Sequence, residues 1–212
     1  MKNLSHYKIV ANMFSYPNEQ AGEYSNEFLD MILVELPERY PALQQQISEH
    51  NQLSIREQQE YYLKTFDVQA ICYLDIGYVL FGEDYKRAQL LVNLQSEHKK
   101  TGIDCGSELG DHLPNVLTLL SKTTDPDFAD ELGFIITMPA IRFMLTRFKN
   151  ITTHYYKEIL EVLLVFLQRD FNGKGLMEFA MPEEVFNGDR DFVMSSPKSV
   201  ICDSFCHKHK TI

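Results

Sequence analysis

The sequence predicts an all-α fold, a single-domain helical bundle followed by a loosely structured C-terminal tail. Apolar residues recur with the spacing i, i+3, i+4 and i+7 in nearly every periodic segment, which is the pattern of amphipathic helices. No alternating run is long enough for a sheet, and ten Gly and eight Pro in 212 residues are few for a loop-rich β protein. We therefore expect an all-helical domain over residues 1–171 and a partly irregular extension over residues 172–212, where Gly, Pro, Asp and Ser become frequent.

Three helices are predicted in the first fifty residues. The first covers Leu4–Phe14, the second runs from about Ser25 to Leu36, and the third opens at Pro41 and ends near His50. A proline follows each of the first two, and the residue before a proline disfavours helical geometry. At helical spacing the residues expected to face inward are Ile9, Val10, Met13, Phe14, Phe28, Leu29, Ile32 and Leu33.

Local capping signals place the next two helices. Ser54, with Glu57 three residues later, forms a capping box for a helix through Asp67. Asp84 is a good N-cap for a helix that ends just before Gly102, a residue suited to the left-handed C′ position.

The remaining segments differ in how clearly they predict structure. Ala70–Asp84 is apolar and aromatic on nearly all sides, so it is either a buried helix or an irregular packed segment. Asp127–Lys149 is helical in pattern but contains Gly133 and Pro139, which predict a kink or two shorter helices. His154–Phe171 has the strongest helical pattern of the chain. A further helix is predicted from the unbroken stripe of Leu113, Val116, Leu117 and Leu120.

Charge and motifs exclude several classes of protein. The net charge of −10 argues against a nucleic-acid-binding protein, which would present a basic face, and an acidic surface can attract a basic partner. The N-terminal residues show no secretory signal, and the strongest apolar run, Ile159–Leu167, is far shorter than the about 20 residues of a membrane span. There is no Walker loop, dinucleotide-binding glycine motif, zinc-protease motif or nucleophile elbow. We expect a soluble cytoplasmic protein that is not an enzyme and does not insert into a membrane.

Four metal-ligating residues lie close together near the C-terminus. Cys202, Cys206, His207 and His209 fall within eight residues, and thiolate and imidazole are good zinc ligands. Structural zinc sites draw on two separated ligand pairs, and no second pair is visible. These residues are therefore weak metal candidates, and an alternative function, a metal-responsive helical regulator, depends on them.

An acid, a histidine and a proline precede a strongly apolar helix in the stretch Glu108–Leu117. In one register Asp111 is the N-cap and Pro114 lies in the first turn. In the other the helix starts at Pro114, and Asp111 and His112 lie in an exposed approach loop. Capping accounts for Asp111 but leaves Glu108 and His112 available for another role.

Three motifs follow one another along the chain: YLKTFD at Tyr62–Asp67, GEDYKR at Gly82–Arg87, and ELGDHLPNVL at Glu108–Leu117. Their order resembles the NarJ/TorD group of redox-enzyme maturation chaperones, and most of all the assembly chaperone of respiratory nitrate reductase. Glu-Leu-x-Asp-His-Leu-Pro is the most specific part. The chain departs from the family pattern at Gly110, where a proline is usual, and at Ala88, where a glycine is usual.

This resemblance implies a function. Members of the group are all-helical cytoplasmic proteins that bind the N-terminal leader peptide of the apo catalytic subunit of a molybdenum oxidoreductase. They hold that subunit until its molybdopterin cofactor is inserted, and they delay membrane attachment or export. They carry no cofactor of their own. The sequence leaves open whether the chain is a monomer or a domain-swapped dimer.

The residues of the three motifs suit a basic, amphipathic leader helix. Such a ligand needs an apolar floor, which Tyr78, Leu80 and Phe81 could supply. It also needs acids at the rim, and Asp84, Glu108 and Asp111 could accept charge-assisted hydrogen bonds from arginine or lysine. The predicted peptide-binding residues are Tyr78, Leu80, Phe81, Asp84, Arg87, Glu108, Asp111 and His112.

Overall fold

The computed structural model describes residues 3–171, and the regular secondary structure in this part of the chain is helical. The prediction of an all-α fold is therefore confirmed. In chain order the elements are α1 (His6–Met13), α2 (Ala21–Glu35), α3 (Tyr40–Asn51), α4 (Ile55–Phe66), α5 (Ile76–Phe81), α6 (Tyr85–Thr101), α7 (Leu113–Lys122), α8 (Pro126–Asp130), a π-helix (Glu131–Thr137), α9 (Met138–Arg147) and α10 (Tyr155–Asp170). The predicted domain boundary at residue 171 stays a prediction, because the extension lies outside the described residues.

Two helices form the centre of the bundle. The predicted apolar stripe of α7 is completely buried, and α7 packs along α1 and against α6. α10 packs against α9, α3, α1 and the π-helix. Burial of one Leu, Ile, Val or Phe side chain contributes roughly 1.5–3 kcal/mol to the free energy of folding. These two helices therefore hold a large share of the stabilising contacts. The fully buried residues of α10 are Ile159, Leu160, Val162, Leu163, Phe166 and Leu167.

The predicted helix ends agree with local chemistry. The capping box of α4 is present, with the Ser54 amide donating to Glu57 Oε2 over 2.8 Å. Asp84 caps α6 by accepting from the Lys86 amide over 2.9 Å. Gly102 follows α6 in the left-handed conformation at φ 64°. These short-range signals were sufficient to locate both helices.

Helix α2 corrects one prediction about the core. It begins at Ala21, four residues before the expected start, and its buried stripe passes through Phe28, Met31 and Ile32. Leu33 was expected to face inward, but it is about half exposed, at 52%. Successive residues of a helix are separated by about 100°, so the residue after Ile32 points away from a stripe centred on Phe28 and Ile32.

The segment Ala70–Asp84 combines the two predicted alternatives. It is irregular from Ala70 to Asp75 and then forms the short helix α5.

The interruption predicted between Asp127 and Lys149 takes the form of the π-helix. Pro139 lies in the first turn of α9, where its missing N–H is tolerated. Gly133 lies in the π-helix against the ring of Phe171, and a Cβ atom at Gly133 would overlap that ring. The π-helix and Phe171 therefore pack more closely than any residue other than glycine at position 133 would permit.

Replacing Gly133 by alanine is expected to lower the free energy of unfolding by about 1–3 kcal/mol, the usual range of overpacking costs, since the ring of Phe171 that the added methyl would meet is buried, at 1% exposed. Urea unfolding followed by circular dichroism measures this. Gly22→Ala is the matched control, because a Cβ there meets nothing within 4 Å and alanine favours the helix. An unchanged stability of Gly133→Ala would contradict the packing.

The buried His50 and the half-buried His154 join α3, α4 and α10. The ring of His50 stacks on that of Tyr155, with centroids 3.8 Å apart, and the ring of His154 lies 4.8 Å from that of Tyr61. Burial lowers the pKa of His50 to about 4, and burial with the nearby charges of His50 and Lys157 lowers the pKa of His154 to about 4. Both rings are therefore neutral in the folded protein at pH 7.

These lowered pKa values predict loss of stability in acid. A histidine that protonates near pH 6.5 when unfolded but only near pH 4 when folded stabilises the fold fully above pH 6.5, and this contribution falls as pH drops towards 4. The melting temperature is expected to fall over this window. The variant His50→Phe/His154→Phe keeps ring contacts without the titration, so it should show a shallower fall. If the melting temperatures of wild type and variant fell equally steeply with decreasing pH, the assignment of this loss of stability to His50 and His154 would be contradicted.

Candidate functional site

Two chain segments that are distant in sequence form a backbone bridge. Residues 74–76 run antiparallel to residues 111–113, joined by backbone hydrogen bonds of 3.0 and 2.9 Å. One segment leads into α5 and the other into α7. The bridge therefore brings the start of the ELGDHLP motif beside the aromatic segment that precedes GEDYKR.

A mostly buried arginine, with a side chain that is 13% exposed, holds the two segments together. Arg87 Nε donates to Asp111 Oδ2 over 2.8 Å, and Arg87 Nη2 donates to Asp75 Oδ2 over 3.1 Å. The Asp111 side chain is 0% exposed. Burial raises the pKa of the Asp111 carboxyl, and its hydrogen bond to Arg87 opposes that shift. The guanidinium also lies over the Tyr78 ring, 5.3 Å from its centroid, within the range of cation–π attraction.

A glycine makes this arrangement possible. Gly77, in the first turn of α5, lies directly against the carboxylate of Asp111. A Cβ atom at Gly77 would be 2.6 Å from Asp111 Oδ2 and 3.3 Å from Arg87 Cγ. Only a residue without a side chain allows Asp111 to lie this close to the helix.

The outer side of the bridge is acidic and partly open. His112 Nδ1 is 3.1 Å from Asp75 Oδ1 and 3.9 Å from Glu108 Oε2. The side chain of Asp75 is 34% exposed and that of Glu108 is 56% exposed. Hydrogen bonding to His112, with a further contribution from Arg87, lowers the pKa of Asp75. Asp75 therefore remains ionised, and the carboxylate oxygens of Asp75 and Glu108 have lone pairs available to donors from outside.

Exposed apolar groups adjoin these acids. Leu109 is next to Glu108 in the chain and is about half exposed, as is Tyr73. The Tyr73 ring packs edge-on against Tyr78, with centroids 5.3 Å apart. We use the name bridge surface for the connected set Tyr73, Asp75, Tyr78, Glu108, Leu109 and His112.

The structure brings most of the predicted site residues together, and it corrects the role of four of them: Leu80, Phe81, Asp111 and Arg87, whose guanidinium pairs internally with Asp75 and Asp111. Leu80 and Phe81 are 2% and 6% exposed, because they belong to the core face of α5, so they cannot form an open floor. Asp111 was expected to be exposed in either register but is fully buried and paired with Arg87. Asp84 caps α6 with its side chain. Its predicted contact with a peptide stays a prediction.

The register of α7 also differs from both expectations. The helix starts at Leu113, with Pro114 at its second position, and His112 occupies the N-cap without a capping hydrogen bond from its side chain. Asp111 is therefore not the N-cap. Asp111 and His112 do lie in an approach loop, as the second register requires, but Asp111 faces inward.

Sequence reasoning missed Asp75, Tyr73 and Gly77. Asp75 is the sole charged residue between Ala70 and Phe81. A carboxylate in an otherwise apolar segment needs a partner, so its presence there was a signal for a buried or half-buried ion pair. The need for a glycine at position 77 depends on a side chain that is distant in sequence, and no local pattern indicates it.

Residues 3–171 show neither a candidate membrane-spanning helix nor a candidate metal cluster. No helix among them is long and apolar enough to cross a bilayer. They also contain no group of three or more His, Cys, Asp or Glu side chains placed to hold a metal ion. The weak metal candidates Cys202, Cys206, His207 and His209 lie outside the described residues.

Comparison with known proteins finds similarity in structure but not in sequence families. No family model matches the sequence, and no curated protein matches it. The fold is similar to the crystal structure of a protein from Archaeoglobus fulgidus that is provisionally described as a redox enzyme maturation protein. The two chains are 20% identical, with a TM-score of 0.55, and the match covers 79% of this chain and 95% of the other. This chain therefore has the helical fold of that maturation protein, as the resemblance in its motifs predicts.

Proposed function

We propose that this protein is a cytoplasmic chaperone for a molybdenum oxidoreductase. It binds the N-terminal leader peptide of the apo catalytic subunit, assists insertion of the molybdopterin cofactor, and delays membrane attachment or export until assembly is complete. It acts by binding and has no catalytic residues or cofactor of its own. The motif resemblance and the shared fold support this proposal.

The bridge surface is the observation that carries the proposal. A basic amphipathic peptide presents cations beside an apolar face. Asp75 and Glu108 can accept from arginine or lysine, and charge-assisted hydrogen bonds are among the stronger polar contacts. The exposed parts of Tyr73 and Leu109 offer adjoining apolar area. The chemistry of this surface is thus complementary to such a peptide.

Arg87 contributes by positioning the surface. Its hydrogen bonds to Asp75 and Asp111 fix two loops that would otherwise have to be ordered when the peptide binds. Ordering a rotamer-rich side chain on binding costs about 0.5–1.5 kcal/mol, and a preorganised surface avoids that cost. Arg87 and Asp111 therefore act through the shape of the site, without contact to the peptide.

The test begins with the identity of the client. The full-length chain is used as bait, and a captured molybdenum oxidoreductase subunit is identified by mass spectrometry. A synthetic peptide with the N-terminal sequence of that subunit is then titrated into the full-length chaperone by calorimetry. Capture of no such subunit, or a peptide that does not bind, would reject the proposal.

Glu108→Gln is expected to weaken peptide binding by about two- to fivefold, the effect of losing one exposed charge pair worth up to about 1 kcal/mol. The melting temperature should not change, because the Glu108 side chain is mostly exposed and its distance to His112 is 3.9 Å. Glu38→Gln is the matched control, since Glu38 is an exposed acid between α2 and α3. Equal affinities for wild type and Glu108→Gln would move the site away from the bridge surface.

A further inference from the structure

The C-terminal segment of the chain has the same chemistry as the proposed client peptide. We propose that residues 198–210 occupy the bridge surface of their own chain when no client is bound. This inference rests on the proposed function for the kind of ligand that the surface accepts. It adds a competitor that the client must displace.

Charge complementarity supports this occupant. The segment contains Lys198, Lys208 and Lys210, and its sole acid is Asp203. Two histidines lie among the lysines and add positive charge when protonated. By contrast, the chain as a whole has a net charge of −10. A basic segment is therefore attracted to an acidic body, and Asp75 and Glu108 are partly exposed acids on it.

The apolar residues of the segment complete the likeness. Ile201 and Phe205 are four residues apart, and the basic run of residues 207–210 begins two residues after Phe205. A peptide with this order can place apolar side chains on Tyr73 and Leu109 while its lysines reach the carboxylates. The bridge surface is complementary to this combination of apolar and basic side chains.

The length of the connection permits the contact. The structure describes the chain up to Phe171, 27 residues before Lys198. At about 3.3 Å per residue, such a connection spans up to about 90 Å, several times the about 15 Å radius of gyration of a folded body of this size. Covalent linkage makes the contact intramolecular, and the effective concentration of linked partners reaches the millimolar range. Even a contact with a dissociation constant near 1 mM would therefore be substantially populated.

The functional consequence is competition. A client peptide that binds the full-length chain has to replace the tethered segment, so its apparent affinity is lower than its affinity for the open surface. Peptides that bind weakly are thereby excluded. Neutralising the lysines of residues 198–210 should raise the affinity of the full-length chain for client peptide. The same change would have no effect if these residues never touched the bridge surface.

Carbodiimide cross-linking of the full-length wild-type chain tests the inference without any client. This reagent joins lysine amines to carboxylates in direct contact, and EDTA in the buffer prevents the Cys and His residues from being bridged by metal. We expect cross-links from Glu108 or Asp75 to Lys208 or Lys210 in the monomeric product. Cross-links that spread evenly to other exposed acids such as Glu38 and Asp127, or that occur only between two chains, would overturn it.

A charge-reversed variant provides the second measurement. In the full-length chain, Lys208→Glu/Lys210→Glu should abolish these cross-links and raise client-peptide affinity severalfold. The control Lys122→Glu/Lys149→Glu changes the net charge by the same amount at exposed positions of the helical body. An equal rise in both variants would show a general charge effect and reject the inference. Cross-links without client binding would instead reject the proposed function and retain the tethered segment.

Discussion

Asp111→Ala is expected to destabilise the folded protein by about 3 kcal/mol. Removing one partner of a buried ion pair leaves the other charge uncompensated, which typically costs about 3–5 kcal/mol. Arg87 keeps its hydrogen bond to Asp75, so the lower end of that range applies. The midpoint of urea unfolding, followed by circular dichroism at pH 7, measures the change.

A double variant separates the ion pair from simple packing. Arg87→Met/Asp111→Leu removes both charges and fills similar volume, so it should recover a large part of the stability lost in Asp111→Ala. Glu108→Ala is the matched single change at an exposed acid of the same loop, and it should alter stability by no more than about 0.5 kcal/mol. A loss below about 1 kcal/mol for Asp111→Ala would contradict the buried network.

Gly77→Ala is expected to lower stability by about 2–3 kcal/mol and to weaken client-peptide binding. The added methyl would lie 2.6 Å from Asp111 Oδ2, and that carboxylate cannot retreat without lengthening its hydrogen bond to Arg87. A shift of either group would displace Asp75 and His112 on the outer side of the bridge. Unfolding in urea and peptide calorimetry measure the two effects separately.

The control for this variant is again Gly22→Ala, which adds a methyl in open space. Alanine has a higher helix propensity than glycine by about 1 kcal/mol, so the control should be neutral or slightly stabilised. If Gly77→Ala and Gly22→Ala changed the stability equally, the close approach of Asp111 to α5 would be contradicted.

The helices could be predicted because their signals are local. A capping box, an N-cap aspartate or a C-terminal glycine acts within one turn, and the stripes of α7 and α10 repeat over several turns. Leu33 was placed wrongly because an apolar residue beside a buried stripe cannot be told from a member of it. The close packing at Gly133 in the π-helix involves the ring of Phe171, which is distant in sequence and which no local pattern indicates.

The candidate site was harder to predict because its key contacts are nonlocal. Asp111 pairs with Arg87 across 24 residues, and His112 meets Asp75 across 37 residues. From sequence alone, Asp111 looked like a solvent-facing acid because a helix start is where exposed caps occur. Burial there depends on Gly77 and Arg87, which no pattern links to it. The sequence identified the motifs whose residues meet at the bridge, but it did not predict the ion pair between Arg87 and Asp111.

The backbone bridge also sets a time at which the protein becomes competent during its own synthesis. Residues 74–76 can meet residues 111–113 only after the ribosome has released more than half of the chain. Closing a loop of this length is an entropic cost that local helix formation does not carry. A nascent chain that has completed α1 to α5 therefore has no backbone bridge, and the bridge surface can form only after residue 113 has left the ribosome.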